Sequence, residues 1–70
     1  MSKDMAYAYI GLKIAQLAKS TNPAPDRTFL EGDIDKAEFL GQVTYQEAAL
    51  YRGVLAFKAC DRVETIRSAA

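Results

Sequence analysis

Glu47 has the clearest chemical potential in this chain. It falls on a helically spaced apolar stripe, between Val43 and Leu50. A carboxylate in that place sits at the edge of a buried strip or pairs with a cation. Arg52 interrupts another apolar side and is a candidate partner from a neighbouring copy. Within one helix the two are about 140° apart, at ~100° per residue, so they do not readily pair. Two roles compete for Glu47. One is a proton-active or ligand-binding group in a pocket. The other is a polar residue that sets register in an oligomer interface, and this reading is favoured because buried polar groups mostly have structural partners. Tyr7, Tyr9, Tyr45 and Tyr51 combine an apolar body with a polar tip. They suit a pocket, a partner surface or the rim of a helical bundle. The candidate ligand- or partner-binding set is therefore Tyr45, Glu47, Tyr51 and Arg52.

Catalysis has little to work with. Cys60 is the only cysteine and there is no histidine. A nucleophilic cysteine needs an activating base, and one thiol makes no zinc set. Asp33 and Asp35 point to different faces of a helix, whereas Asp61 and Glu64 share one. Neither pair has a pocket signature beside it. A di-metal carboxylate bundle would use a Glu-x-x-His element, which is absent. The expectation is a protein that is not an enzyme, with no metal and no cofactor.

Charge and composition narrow the partners. Basic and acidic residues number 9 each, for a net charge of zero. A nucleic-acid binder normally carries a basic surplus on one face. Lys58, Arg62 and Arg67 could serve, and nucleic-acid regulation ranks third, behind the interaction and ligand-binding readings and ahead of enzyme activity. A 50% apolar and 26% charged chain is globular rather than disordered. The apolar run from Met5 to Ala18 is interrupted by Lys13 and is too short to span a bilayer. A lone cysteine and the absence of a signal-like leader point to a cytoplasmic protein without membrane contact.

These residues need elements to position them. Apolar periodicity predicts an all-α single domain over residues 1–70. A first helix is expected over about 3–19, with Ser2 as a candidate cap and Asp4 in its first turn. Tyr7, Ile10, Ile14 and Leu17 share one side of it, and Ala8, Gly11, Ala15 and Ala18 form a small-residue strip beside them. Asn22 suits a C-terminal cap, and Pro23 and Pro25 stiffen a turn over about 20–28. Thr28 and Glu31 have capping-box spacing. A long helix then follows over about 29–67, with Asp33 as an alternative start. No proline or turn cluster interrupts Ile34 to Arg67.

The result is a helical hairpin: a short helix, a proline-containing turn and a long helix. Around the long helix, Leu40, Val43, Leu50, Val54 and Phe57 form a core stripe. Ala49, Gly53, Ala56 and Cys60 form a small-residue strip. Ile34, Gly41, Tyr45, Ala48, Leu55, Ala59 and Ile66 occupy a third side. A short first helix cannot cover all three. Seventy residues also bury little surface on their own. The expected assembly is a homodimer forming a four-helix bundle, with Leu50, Val54, Leu55, Phe57, Ala49, Gly53 and Ala56 at the interface. The expected function is a small interaction or regulatory protein, an adaptor or antagonist, whose partners are itself and another protein. The alternative is a ligand-binding or sequestering bundle with an interfacial pocket.

Overall fold

Three local signals divide the chain into three helices, and each signal is chemical. In the computed structural model, which describes residues 3–69, α1 spans Lys3–Leu17, α2 spans Pro23–Phe39 and α3 spans Tyr45–Ala69. The fold is all-α, with no strand among the described residues. The candidate cap Ser2 lies outside those residues. Asp4 does fall in the first turn of α1, where a negative charge complements the helix dipole.

The expected two-helix hairpin is corrected here. Pro23 opens α2 rather than ending a linker, because a proline at the first helical position lacks only an N–H that would be unpaired anyway. Asn22 accordingly stands at the N-cap of α2, not at the C-cap of α1, and its side chain makes no capping bond. Thr28 lies inside α2, where its hydroxyl donates to the Ala24 carbonyl at 3.2 Å. It is therefore not the cap of a capping box.

The long helix expected over about 29–67 is broken at Leu40–Thr44. Gly41 adopts φ +73°, the left-handed conformation that favours glycine. The Gly41 N–H donates to the Glu38 carbonyl at 3.0 Å and the Gln42 N–H to the Ala37 carbonyl at 2.9 Å. That pair of bonds is a Schellman motif, which ends a helix by satisfying its last carbonyls. Three residues later Thr44 and Glu47 form a reciprocal capping box. The Thr44 N–H donates to Glu47 Oε1 at 2.8 Å, and the Glu47 N–H donates to Thr44 Oγ1 at 3.1 Å.

The helices run up, down and up. Tyr9 donates to Asp33 Oδ2 at 3.2 Å and Ser20 donates to Asp26, so α1 and α2 are antiparallel. Arg52 near the start of α3 reaches Asp35 and Glu38 near the end of α2. Tyr7 reaches Glu47, and Arg62 reaches the carbonyl of Ser20, so α1 and α3 are parallel. Ile10, Ile14 and Leu17 of α1, Leu30, Ile34 and Ala37 of α2, Val43, and Ala48, Leu55 and Ala59 of α3 make the core, with Tyr7 and Tyr51 packed against it.

The face that α3 turns inward is not the expected stripe. Ala48, Leu55 and Ala59 are buried, whereas Leu50, Val54 and Phe57 point to solvent. Leu40 is also exposed, and of that stripe only Val43, which sits in the α2–α3 connection, is buried. The reason is that α3 packs in a three-helix bundle rather than in a hairpin. Its inner side meets two helices at once, so alanines allow close approach and one leucine fills the centre.

Candidate functional site

Two polar clusters and one apolar face hold the candidate residues. The first cluster joins α1 to the start of α3. Thr44 caps α3, and this fixes the Glu47 carboxylate at the helix N-terminus. One oxygen takes the Thr44 N–H and the other accepts a hydrogen bond from the Tyr7 hydroxyl. Sharing its proton donor with a carboxylate pushes the Tyr7 phenol up to about 12, because ionising it would place two anions together. The same bond, with the Thr44 N–H second, holds the Glu47 carboxyl below the usual carboxylate range. The Tyr7 and Tyr51 rings meet with centroids 6.4 Å apart and planes tilted by 40°. Partial burial, then the nearby Glu47 charge, raises Tyr51. Lys3 Nζ stands 5.9 Å from the Tyr7 ring centroid.

The second cluster joins α2 to α3. Arg52 donates to Glu38 Oε1 at 2.6 Å and Asp35 Oδ1 at 2.7 Å. Asp35 and Glu38 are three apart and so share one face of α2. Hydrogen bonds to Glu38 and then Asp35 raise the already high Arg52 guanidinium. Arg52 therefore finds its partners in its own chain, and so does Glu47. Within the chain the two lie on different flanks of α3, one turned to α1 and the other to α2.

Of the candidate ligand set, Glu47 and Tyr51 come together beside Tyr7. Tyr45 is exposed, and Arg52 is apart from the others. Tyr9 forms a separate group with Asp33 and with Lys13, whose Nζ stands 5.6 Å from its ring centroid. The neighbouring Asp33 charge raises Tyr9. Two shallow grooves follow the α1–α2 seam and share Tyr9 and Asp33 as their common wall. The Asp33–Asp35 pair splits between helices, one facing Tyr9 and the other Arg52. Among the described residues, no group of three or more histidine, cysteine, aspartate or glutamate side chains could hold a metal ion. Arg62 and Arg67 are engaged locally, with the Ser20 carbonyl at 2.7 Å and Glu64 at 3.7 Å.

The apolar face lies on the outside of α3. Leu50 is 70% exposed, Phe57 69% and Val54 40%, with Ala49, Gly53 and Cys60 exposed around them. Leu55 was expected on this surface and is instead fully buried, at 0% exposure. Ala56 is half-buried between the two sides. The sequence did not single out the Thr44 cap or the Tyr7–Glu47 bond. The Thr44-x-x-Glu47 spacing was available to find the first, whereas the second needs the third dimension.

No helix among the described residues is long and apolar enough to cross a membrane. The chain matches no family model, no curated protein and no solved structure.

Proposed function

We propose that this chain is a small, non-enzymatic interaction protein that works as a helical homo-oligomer, with the outward face of α3 as its contact surface. The observation that carries the reading is the exposed row of Leu50, Val54 and Phe57 on a helix whose inner side is already satisfied. Exposed apolar rows of this kind mark docking surfaces. The polar groups that could have built a reactive site support the same reading. Glu47, Tyr7 and Arg52 are each tied to partners that hold the bundle together. A binding pocket made from Tyr45, Glu47, Tyr51 and Arg52 is less favoured, since Tyr45 and Arg52 stand apart from Glu47 and Tyr51.

Analytical ultracentrifugation across a concentration series tests the proposal. The expected mass is a multiple of the 7.7 kDa protomer. Leu50→Asp should return the protein to the protomer mass while leaving its helical signal. A wild-type chain that sediments as a single protomer at every concentration refutes the homo-oligomer.

A further inference from the structure

The exposed face carries a second kind of information, in its symmetry. The Tyr7–Glu47 bond between α1 and α3, and the bond from Arg62 to Ser20 just past the end of α1, join residues 40 and 42 positions apart. Each α1 residue is therefore level with an α3 residue about 41 later. Gly11 and Leu12 thus lie within about one residue of the level of Gly53 and Val54. A methyl group added at Gly11 or Gly53 would meet nothing within 4 Å, so the surface is open at both points.

On the side of the molecule away from α2, residues on each helix are paired about this common level. On α3, Leu50 and Phe57 stand equally far on either side of it. On α1, Ala8 and Ala15 do the same, and Asp4 has its counterpart in Lys19, in the turn just past the helix. All six are exposed. One two-fold axis, perpendicular to both helices at this level, therefore sets like with complementary on both helices. Leu50 of each copy meets Phe57 of the other, and the small residues of α1 let the first helices close together. At the ends, Asp4 of each copy approaches Lys19 of the other.

Charge decides the direction of pairing. The bond from Tyr7 fixes Glu47 on the flank of α3 next to α1. Lys58 returns to that flank about three turns later. A copy packed parallel brings Lys58 against Lys58 and Glu47 against Glu47. A copy packed antiparallel brings each Lys58 beside the partner copy's Glu47. That carboxylate has lone pairs to spare after accepting from Tyr7 and Thr44. Area supports a face two helices wide. The molecule measures 41 × 18 × 15 Å, so one full side is comparable with the ~800 Å² that each partner of a standard complex contributes.

We infer that the α1–α3 face binds a second copy of this chain antiparallel, about a two-fold axis passing between Gly53 and Val54. The inference rests on the homo-oligomer reading and adds the face, the direction and the register. Cysteine crosslinking of the full chain under mild oxidation tests it. The two copies of position 54 lie within about 2 Å of each other along the helix at ~1.5 Å rise per residue, and the two Cys60 about 20 Å apart. A disulfide needs Cα atoms closer than ~7 Å. Val54→Cys in a Cys60→Ser background should give mostly covalent dimer, and the native chain should give none through Cys60. A native chain that crosslinks through Cys60, or a Val54→Cys variant that sediments as a dimer without crosslinking, overturns the antiparallel register and leaves the homo-oligomer standing. A protomer mass throughout overturns both. In the same wild-type assay, Lys58→Glu should weaken association roughly tenfold, in keeping with loss of cross-copy charge pairs. An unchanged dissociation constant would overturn the Lys58–Glu47 contact that sets the direction.

Discussion

Leu55→Ala is the substitution on which the two faces of α3 can be told apart. Leu55 is fully buried, and it is the only large side chain of α3 that is, since its other buried residues are Ala48 and Ala59 and Tyr51 packs only partly buried at the core's edge. The nearest bulky neighbour on α3, Tyr51, is held at the rim by its contact with the Tyr7 ring, so the space Leu55 leaves is poorly refilled. Ile10, Ile14 and Ile34, large core side chains of the other two helices, are fully or nearly fully buried already. The cost should fall in the range of about 2–5 kcal/mol found for buried leucine truncation, toward the upper half. In a domain of this size each kilocalorie lowers the midpoint by about 4–8 °C, so melting should fall by more than about 10 °C. Urea denaturation followed by far-UV circular dichroism, run at several protein concentrations, measures it. The loss must appear at every concentration, including those where the chain is a protomer. Leu50→Ala should show the opposite pattern: within about 0.5 kcal/mol of wild type in the protomer, as for surface substitutions, and destabilising only where copies associate. A Leu55→Ala protein that loses under about 1 kcal/mol refutes the inward assignment of Leu55.

Further outcomes follow from the helix ends and the polar ties. Gly41→Ala places a Cβ at φ +73° and should cost about 1–2 kcal/mol without changing helix content, read by the same urea titration. A Gly41→Ala chain as stable as wild type would contradict the left-handed turn. The Tyr7 phenol is raised on folding, so its contribution is complete below pH 10 and is lost as pH climbs toward about 12. Tyr7→Phe should flatten that alkaline loss, and a pH titration of stability that keeps the same slope in the variant would rule the contribution out. Glu47 has the opposite sign. Its carboxyl is lowered on folding, so its contribution is present above the ordinary carboxylate range and fades as pH falls through the lowered value. Glu47→Gln should weaken the acid-side dependence, measured by melting across an acidic pH series. Arg52→Ala removes a partly exposed bridge and should cost about 1 kcal/mol at low salt and less at high salt. A loss that does not depend on salt would assign the effect to the packing of its stem.

The first helix was legible in the sequence because its signals agree. Ile10, Ile14 and Leu17 repeat at helical spacing, and the same residues are buried. The second half misled for a physical reason. Apolar residues continue through Leu40–Val43 without a proline, and their spacing does not reveal that the backbone has reversed. The reversal is written in two short local patterns: a glycine that accepts positive φ, and a threonine three residues before a glutamate. Those cues are weak beside a long apolar run, yet they decide the topology. The break also changes which face of the last helix is core. In a two-helix hairpin the largest stripe, through Leu50, Val54 and Phe57, would turn inward. In a three-helix bundle the enclosed side of α3 has room for alanines and one leucine. Glu47 could be singled out from its odd position on the stripe. Its partner Tyr7 stands 40 residues earlier and could not be read from spacing.

The Leu40–Thr44 connection has a consequence for the order of assembly. Its Schellman turn and capping box satisfy their own backbone groups, so the reversal needs no support from α1. Arg52 then fastens α2 to α3 across separations of only 14 and 17 residues. The ties that bring in α1 close loops of 40 and 42 residues, which cost more chain entropy before any contact rewards them. Folding should therefore begin with the α2–α3 hairpin and finish when α1 docks. Substitutions at Gly41 would slow folding, whereas substitutions at Tyr7 would mainly speed unfolding.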